Sequence, residues 1–172
     1  EFADIWFERG MFSILNLCPR FGKIKVAWHC INLLDSPCII LIAFPDKKIK
    51  QQWINEFERL NYDNSEITYV THLSLKKYRN CKFDLIIIDE IHLLSSAQIE
   101  VCAELFSVND FSGILGLTGT LSSWTERILK EDLGLPVVAY YPIEKAIEEG
   151  IITDYEIEVV AVSLDNTTKR LF

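Results

Sequence analysis

The sequence places two adjacent carboxylates and a histidine, Asp89-Glu90-Ile91-His92, directly after an apolar run at residues 83–88. Such a run is typical of a parallel-sheet strand that is covered on both faces. Open α/β sheets carry their ligand-binding groups at the carboxyl ends of the strands. Two acids there can divide two tasks, since one carboxylate can hold hydrated Mg²⁺ while the other polarises a water molecule. A single Asp would more often be structural, so the pair favours nucleotide hydrolysis over a structural coincidence.

A second candidate for this chemistry lies upstream, where a loop at residues 18–24 follows the first predicted strand. Backbone amides at a helix N-terminus point toward an anion, and a lysine that follows a glycine can reach β- and γ-phosphates. Gly22 and Lys23 supply these groups. The Gly-Lys pair alone is commonplace and usually structural. Combined with the downstream acids in the expected order, it favours phosphate binding at the loop Pro19-Arg20-Phe21-Gly22-Lys23-Ile24.

The loop departs from the phosphate-loop pattern Gly-x-x-x-x-Gly-Lys-Ser/Thr at three positions. Leu17 and Arg20 occupy positions where glycines are common. Ile24 replaces the hydroxyl residue that would ligate Mg²⁺. An aliphatic side chain cannot ligate a metal, so Ile24 favours the alternative of a binding module with a degenerate loop.

Composition indicates one soluble globular domain, because 49% of the 172 residues are hydrophobic and 24% are charged. Residues 38–44 form an apolar stretch far too short to span a bilayer, and residues 11–17 lack the features of a secretory signal. We therefore expect an intracellular protein, cytoplasmic or located with its nucleic acid, and no membrane partner. The chain starts with Glu-Phe and stops at Lys-Arg-Leu-Phe, which predicts a piece of a longer protein.

The formal net charge of −8, from 17 basic and 25 acidic residues, argues against tight nucleic-acid binding by this piece alone. A nucleic-acid role would depend on a local surface or on a partner domain. The five cysteines are scattered and the three histidines show no ligand spacing. Reduced thiols are therefore favoured over disulfides or a zinc site.

Short apolar runs alternate with longer amphipathic ones, a pattern that predicts an α/β fold with a parallel sheet. We predict strands at residues 11–17, 38–44, 67–70, 83–88, 113–117, 137–140 and 155–162. We predict helices at residues 2–8, 23–34, 47–60, 97–106, 124–133 and 143–148, with a helical turn at 73–78.

Over nearly its whole length the chain resembles the first RecA-like domain of superfamily-two helicases and translocases of the Asp-Glu-x-His type. Residues 18–24 are similar to motif I of that family and residues 89–92 to motif II. Phe44-Pro45, followed by Gln51-Gln52-Trp53 and Glu56, is similar to motif Ia and its following helix. Residues 70–75 are similar to the next nucleic-acid segment, and Leu117-Thr118-Gly119-Thr120 to motif III. Residues 146–155 are similar to the exit from that domain in phage helicases, repair translocases and type III restriction subunits.

The resemblance implies a three-layer RecA-like P-loop domain with a mostly parallel central sheet flanked by helices. Residues 1–155 would form this domain, and residues 156–172 an exit strand toward a second RecA-like domain of the same polypeptide. That second domain would supply an arginine finger. Because an arginine finger is worth about 10³ to 10⁵ in rate in related enzymes, the isolated chain is expected to hydrolyse ATP barely or not at all.

The resemblance also assigns roles to individual residues. Lys23 would neutralise the β- and γ-phosphates of ATP, Asp89 would hold Mg²⁺ through water, and Glu90 would orient or deprotonate the attacking water. The nucleotide state would be coupled to the second domain by His92, Thr118, Gly119 and Thr120. The nucleic-acid backbone would be contacted by Pro45, Gln52 and Thr71, which position the strand without reading sequence.

Each role has a simpler rival that the sequence leaves open. His92 could be a hydrogen-bonded structural histidine, and Thr118 and Thr120 could be turn residues around Gly119. Trp28 and Trp53 fit core positions better than base-stacking ones. The lysines near the start of the third helix fit a solvated helix end: Lys47, Lys48 and Lys50.

The leading hypothesis is therefore an ATP-dependent helicase or translocase that uses ATP and Mg²⁺ and acts on DNA, with RNA as the less favoured substrate. The alternative is a non-hydrolysing nucleotide- or DNA-binding module, which Ile24 favours and the intact Asp89-Glu90 pair opposes. Another P-loop enzyme, such as a nucleotide kinase, would leave Thr71, Thr118 and Thr120 unexplained. The hydrolytic interpretation requires Lys23, Asp89 and Glu90 to converge on one triphosphate.

Overall fold

The computed structural model describes residues 1–34, 37–60, 66–109 and 113–153. Within these ranges the strands are β1 Phe12–Leu17, β2 Ile39–Phe44, β3 Glu66–Thr71, β4 Leu85–Asp89, β5 Gly113–Thr118 and β6 Val137–Tyr141. The helices are α1 Phe2–Glu8, α2 Lys23–Asn32, α3 Lys47–Arg59, α4 Ser96–Ser107, α5 Ser123–Leu133 and α6 Ile143–Glu148. Two 3₁₀ segments, His72–Tyr78 and Ile91–Leu93, follow β3 and β4. The strand predicted at residues 155–162 and the exit strand at 156–172 lie outside the described residues.

All six strands pair in parallel in one sheet, in the order β3-β2-β4-β5-β1-β6. Strand β5 lies between β1 and β4, with Asn16 opposite Thr118 and Asp89 opposite Leu117. The carboxyl ends of the three strands therefore meet at one edge of the sheet. This edge brings the predicted phosphate loop, the acids and the Thr-Gly-Thr turn close together.

Helices cover both faces of the sheet, which confirms the predicted three-layer α/β architecture. One face packs against α1, α2, α3 and α6, and the other against α4 and α5. In β4, Leu85 and Ile87 belong to the first core while Ile86 and Ile88 belong to the second. An uninterrupted apolar run is needed here because both faces of this strand exclude water.

The observed elements differ from the predicted ones mainly at their ends. Strand β4 begins at Leu85 instead of residue 83, because the N–H of Phe83 donates to a side chain outside the ladder. The N–H of Phe83 donates to Asn109 Oδ1 at 2.7 Å, and Asp84 Oδ2 accepts from the N–H of Ile39 at 2.8 Å. Helix α2 ends at Asn32, two residues before the predicted end.

None of the helices within the described residues has the length and apolarity that crossing a bilayer requires.

Candidate functional site

The loop between β1 and α2 holds two residues in left-handed backbone conformations. Gly22 has φ of 92° and Arg20 has φ of 65°. No side chain caps the N-terminus of α2, so its first N–H groups have no side-chain acceptor. A left-handed conformation suits glycine best, and a non-glycine residue there costs about 1 kcal/mol or more. Arg20 therefore adopts, at some strain, the conformation that explains why glycine is common at this position.

Lys23 and Glu90 meet at the mouth of this loop. The Lys23 ammonium lies 3.0 Å from Glu90 Oε1, and both side chains are largely buried. Glu90 Oε2 lies 3.4 Å from His92 Nδ1. Glu90 itself has φ of 48°, a strained value for a non-glycine residue. This backbone geometry turns the chain sharply after β4 and places the carboxylate between a lysine and a histidine.

Asp89 is held by hydrogen bonds to its side chain and its backbone. Its Oδ2 accepts from the Trp53 indole N–H at 2.9 Å, and its Oδ1 accepts from the N–H of Glu90 at 3.0 Å. Its carbonyl oxygen lies 3.0 Å from His72 Nε2. Burial raises the pKa of the Asp89 carboxyl, an effect that the Trp53 bond and nearby Lys23 oppose. Each carboxylate oxygen has a second lone pair, so both can still accept from a water or bind a cation.

His92 joins the end of β4 to the end of β5. Its Nδ1 lies 2.8 Å from Thr118 Oγ1, and its Nε2 lies 3.3 Å from Thr120 Oγ1. Thr118 Oγ1 donates to the carbonyl of Thr120 at 3.1 Å, so its oxygen must accept from Nδ1–H. Burial lowers the pKa of His92, which favours the neutral ring, and the bond to Thr118 places the proton of that ring on Nδ1. The Thr-Gly-Thr turn, His92 and Glu90 thus form one hydrogen-bonded group.

Gly119 directly follows β5 and lies close to the phosphate loop. A Cβ atom at Gly119 would lie 3.1 Å from Leu17 O, 3.1 Å from Lys23 Nζ and 3.2 Å from Pro19 Cδ. Real Cβ atoms rarely approach other atoms this closely. The position therefore has no room for a larger residue unless the loop or Lys23 moves.

A cavity of about 430 Å³ opens between the loop, α2, α3 and the end of β4. Both Lys23 and the two acids line it, which is the convergence that the hydrolytic interpretation requires. Its lining residues are Pro19, Arg20, Gly22, Lys23, Ile24, Lys25, Ile49, Gln52, Glu56, Asp89 and Glu90. An ammonium, helix-start amides and two carboxylates around one cavity can bind a polyanion together with a hydrated cation.

The donor atoms fit Mg²⁺, which prefers oxygen ligands and is often shared between a carboxylate and substrate phosphates. Within the described residues no group of three or more His, Cys, Asp or Glu side chains could hold a metal by itself. Ile24, 8% exposed, lines the cavity without a hydroxyl. An ion at Asp89 would therefore need oxygens from a bound phosphate ligand and from water.

The predicted nucleic-acid residues do not all lie together. Pro45 follows β2 directly and Thr71 ends β3, and these strands are neighbours with Phe44 opposite Thr71. Thr71 Oγ1 lies 3.1 Å from Ser74 Oγ. Gln52, in contrast, lines the cavity of Lys23 and Asp89. Gln52 is therefore placed beside the candidate phosphate site, and its contact with nucleic acid stays a prediction.

Sequence reasoning missed two residues that contact the acids. Trp53 fits the core, as expected, but its indole N–H also binds Asp89. His72, 4% exposed, binds the backbone at Asp89, whereas the resemblance of residues 70–75 indicated only a nucleic-acid segment. A buried indole needs an acceptor for its N–H. A Trp predicted in the core therefore indicates that an acceptor oxygen lies near its indole N–H.

No protein-family model matches the sequence, and no curated protein matches it. Several solved structures share its fold, and three of them are described next. The chain superposes on the Pyrococcus furiosus Hef helicase domain with a TM-score of 0.71 at 15% identity, over 98% of this chain and 44% of that one. The large terminase of a thermophilic bacteriophage gives a TM-score of 0.61 at 9% identity, over 84% and 45% of the two chains. The Sulfolobus solfataricus SWI2/SNF2 ATPase core in complex with dsDNA gives 0.50 at 18% identity, over 70% and 30%.

The chain spans less than half of each of these longer structures. At such low identity the similarity concerns the fold. The predicted RecA-like architecture is thereby confirmed. The chain has the RecA-like α/β fold found in helicase, terminase and SWI2/SNF2 ATPase domains.

Proposed function

We propose that the chain is the ATP-binding first motor domain of an ATP-dependent helicase or translocase that acts on nucleic acid, with DNA as the preferred substrate. The observation that carries the proposal is the convergence of Lys23, Asp89 and Glu90 on one cavity, with the Lys23 ammonium 3.0 Å from Glu90. The fold shared with helicase and ATPase domains supports the same interpretation.

The residues of the site divide the work of phosphoryl transfer. The amides of the loop and the start of α2 bind the phosphates, and Lys23 neutralises their β- and γ-oxygens. When bound, Mg²⁺ would supply positive charge that offsets the negative charge of the phosphates. Asp89 would hold the ion's water ligands, and Glu90, once its lysine partner turns to phosphate, would orient or deprotonate the attacking water.

Coupling would run through the hydrogen-bonded group around His92. Because His92 contacts Glu90, Thr118 and Thr120, a movement of Glu90 toward water changes the contacts of the turn after β5. A second RecA-like domain that packs at this edge would sense that change. Pro45 and Thr71 would contact the nucleic-acid backbone at the neighbouring strand ends.

Nucleotide binding and hydrolysis in the full-length protein test this proposal. Glu90→Gln should keep ATP binding and lower strand-stimulated hydrolysis by about 10²- to 10⁴-fold, the usual contribution of a general base. Lys23→Ala should lose ATP binding, whereas Lys130→Ala, an exposed lysine on α5, should keep it. Stimulation by DNA and by RNA of equal length distinguishes the substrates. Full activity in the Glu90→Gln protein would contradict the assignment.

A second candidate function, nucleotide or DNA binding without hydrolysis, is favoured by one observation. Ile24 lines the cavity where a hydroxyl would ligate the metal. Ile24→Thr restores that hydroxyl. If the parent already shows strand-dependent ATPase activity, the loop and Asp89 suffice for the metal. If neither protein responds to DNA, the binding module is the correct interpretation.

The isolated chain should bind ATP and hydrolyse it barely or not at all, because the arginine finger would come from a second domain. A steady-state ATPase assay of the 172-residue chain checks this. Steady turnover that Glu90→Gln abolishes would show that this chain needs no second domain for chemistry.

A further inference from the structure

Trp53 occupies an unusual position for a core residue, because it is fully buried and yet reaches the candidate metal-binding acid. It lies in the middle of α3, and its exposed fraction is 0%. Its indole Nε1 lies 2.9 Å from Asp89 Oδ2 across 36 residues of sequence. Its ring also packs edge-on against Phe57, with ring centroids 5.5 Å apart. The indole is therefore fixed, and its N–H has a defined direction toward the carboxylate.

The indole bond leaves Asp89 with little freedom to rotate. One carboxylate oxygen accepts from Trp53, the other accepts from the N–H of Glu90, and the backbone carbonyl contacts His72. Asp89 is 6% exposed, so water cannot easily replace these partners. An indole N–H donates and cannot accept, so it leaves the second lone pair of Oδ2 available.

Position 24 adds a second observation to this geometry. A threonine or serine there could donate a hydroxyl to neighbouring oxygens, but Ile24 presents only methyl and methylene groups to the same cavity. Among the described residues, the side-chain donor to the Asp89 carboxylate is Trp53.

We infer that Trp53 is a positioning residue that orients the Asp89 carboxylate for a hydrated divalent cation, at a site where position 24 supplies no metal ligand. The inference rests on the proposed function and extends it to a residue outside the loop and the acid pair. Since the indole cannot ligate a metal, the ion is held by Asp89, nucleotide phosphates and water. Helix α3 thereby becomes part of the metal site without touching the metal.

Trp6 offers a matched control for the test. Like Trp53 it is fully buried, and its indole N–H donates at 3.0 Å, but to the carbonyl of Ile114 in the middle of the sheet. Trp6→Phe and Trp53→Phe therefore remove the same ring volume and one buried hydrogen bond each. The two variants differ in whether the lost bond held a carboxylate of the candidate site.

In the experiment, Mg²⁺ is titrated into the protein with a fluorescent ATP analogue. Anisotropy measures binding of the analogue under conditions without turnover. Trp53→Phe should raise the half-saturating Mg²⁺ concentration roughly three- to tenfold or more, given what hydrogen bonds to charged groups contribute. Trp6→Phe should leave that concentration unchanged although it lowers thermal stability to a similar degree. Equal Mg²⁺ dependence in both variants would overturn the inference.

If Trp53→Phe does not fold, the indole N–H resonances of the ¹⁵N-labelled wild-type protein and of its Asp89→Asn variant decide the case. Asp89→Asn should move the indole N–H resonance of Trp53 and leave that of Trp6 in place. An unmoved Trp53 resonance would overturn the inference, whatever the nucleotide data show. If the wild type binds no nucleotide with Mg²⁺, the proposed function fails and the positioning role fails with it. The resonance then still reports whether the bond exists, so the two failures remain distinguishable.

Discussion

Glu90 contacts both of the other charged or titratable side chains at the mouth of the loop. Its two carboxylate oxygens contact different partners, Lys23 at 3.0 Å and His92 at 3.4 Å. The left-handed backbone at Glu90 is what allows one side chain to reach both, since the chain turns before it enters the 3₁₀ segment Ile91–Leu93. A strained conformation at such a position is typical of functional sites.

The close packing around Gly119 gives a prediction at the same scale of single residues. In Gly119→Ala the new methyl group would meet Lys23 Nζ and Leu17 O at 3.1 Å. We expect the lysine to be displaced and the affinity for ATP to fall about tenfold, since hydrogen bonds to charged groups contribute about 1.5–3 kcal/mol. Nucleotide titration followed by anisotropy measures this change.

Gly113→Ala is the control for that substitution. Its Cβ would also be crowded, at 3.1 Å from Leu85 Cδ1 and 3.2 Å from the Trp6 ring, but inside the core. It should lower the free energy of unfolding by about 1–3 kcal/mol through overpacking and leave ATP affinity unchanged. Equal affinity losses in the two variants would contradict the contact between Gly119 and the loop.

At the scale of elements, helix α3 links the helix layer to the sheet edge. Asp46 caps its N-terminus and accepts from the N–H of Lys48 at 2.6 Å. Further along the helix, Gln52 lines the cavity and Trp53 reaches Asp89. Helix α5 begins in a similar way, with Ser122 Oγ accepting from the N–H of Thr125 at 3.1 Å. It covers the opposite face of the sheet.

These two caps give a prediction for the helices. Asp46→Ala and Ser122→Ala should each lower the free energy of unfolding by about 1 kcal/mol, the usual contribution of an N-cap side chain. Urea unfolding measures both. Since α3 carries cavity residues and α5 does not line that cavity, only Asp46→Ala should also weaken ATP binding. A loss of affinity in Ser122→Ala alone would show that α3 does not position the site.

The sequence predicted these elements well where the apolar pattern was long, as in β4, and less well at their ends. Strand β4 starts two residues late because Asn109 takes the hydrogen bond of the Phe83 N–H. This partner is 26 residues away in the sequence. No local pattern can reveal such competition.

The sequence likewise predicted only part of the candidate site. Motif order placed Lys23 and the acids at one edge, because parallel strands present their carboxyl ends together. The contact between Trp53 and Asp89 depends on how α3 packs over the sheet, which hydrophobic periodicity does not specify. Gln52 lines the cavity, and its contact with nucleic acid stays a prediction.

At the scale of the whole molecule, His72 links stability to pH. Burial lowers its pKa from 6.5 to about 4. Between these pH values the unfolded chain binds a proton that the folded protein does not, so acidification lowers the free energy of unfolding. The loss through His72 amounts to about 2 kcal/mol between pH 7 and pH 5. Asp89, with its raised pKa, acts in the opposite direction.

His72→Gln isolates this contribution, because its amide can still donate to the Asp89 carbonyl. Urea unfolding at several pH values should show a shallower loss of stability on acidification in this variant than in the wild type. His29→Gln, which changes an exposed histidine, should follow the wild type. Parallel curves for wild type and His72→Gln would show that His72 titrates normally in the folded protein.

The ion pair between Lys23 and Glu90 determines how an anion can enter. The two opposite charges neutralise each other, so the chain can fold without leaving either one buried and unmatched. In the proposed function, an arriving phosphate would compete with a carboxylate for the ammonium, and loading would be an exchange of partners. The same event that captures the anion would release an acid beside it, so that binding and the preparation of the acid would occur in one step.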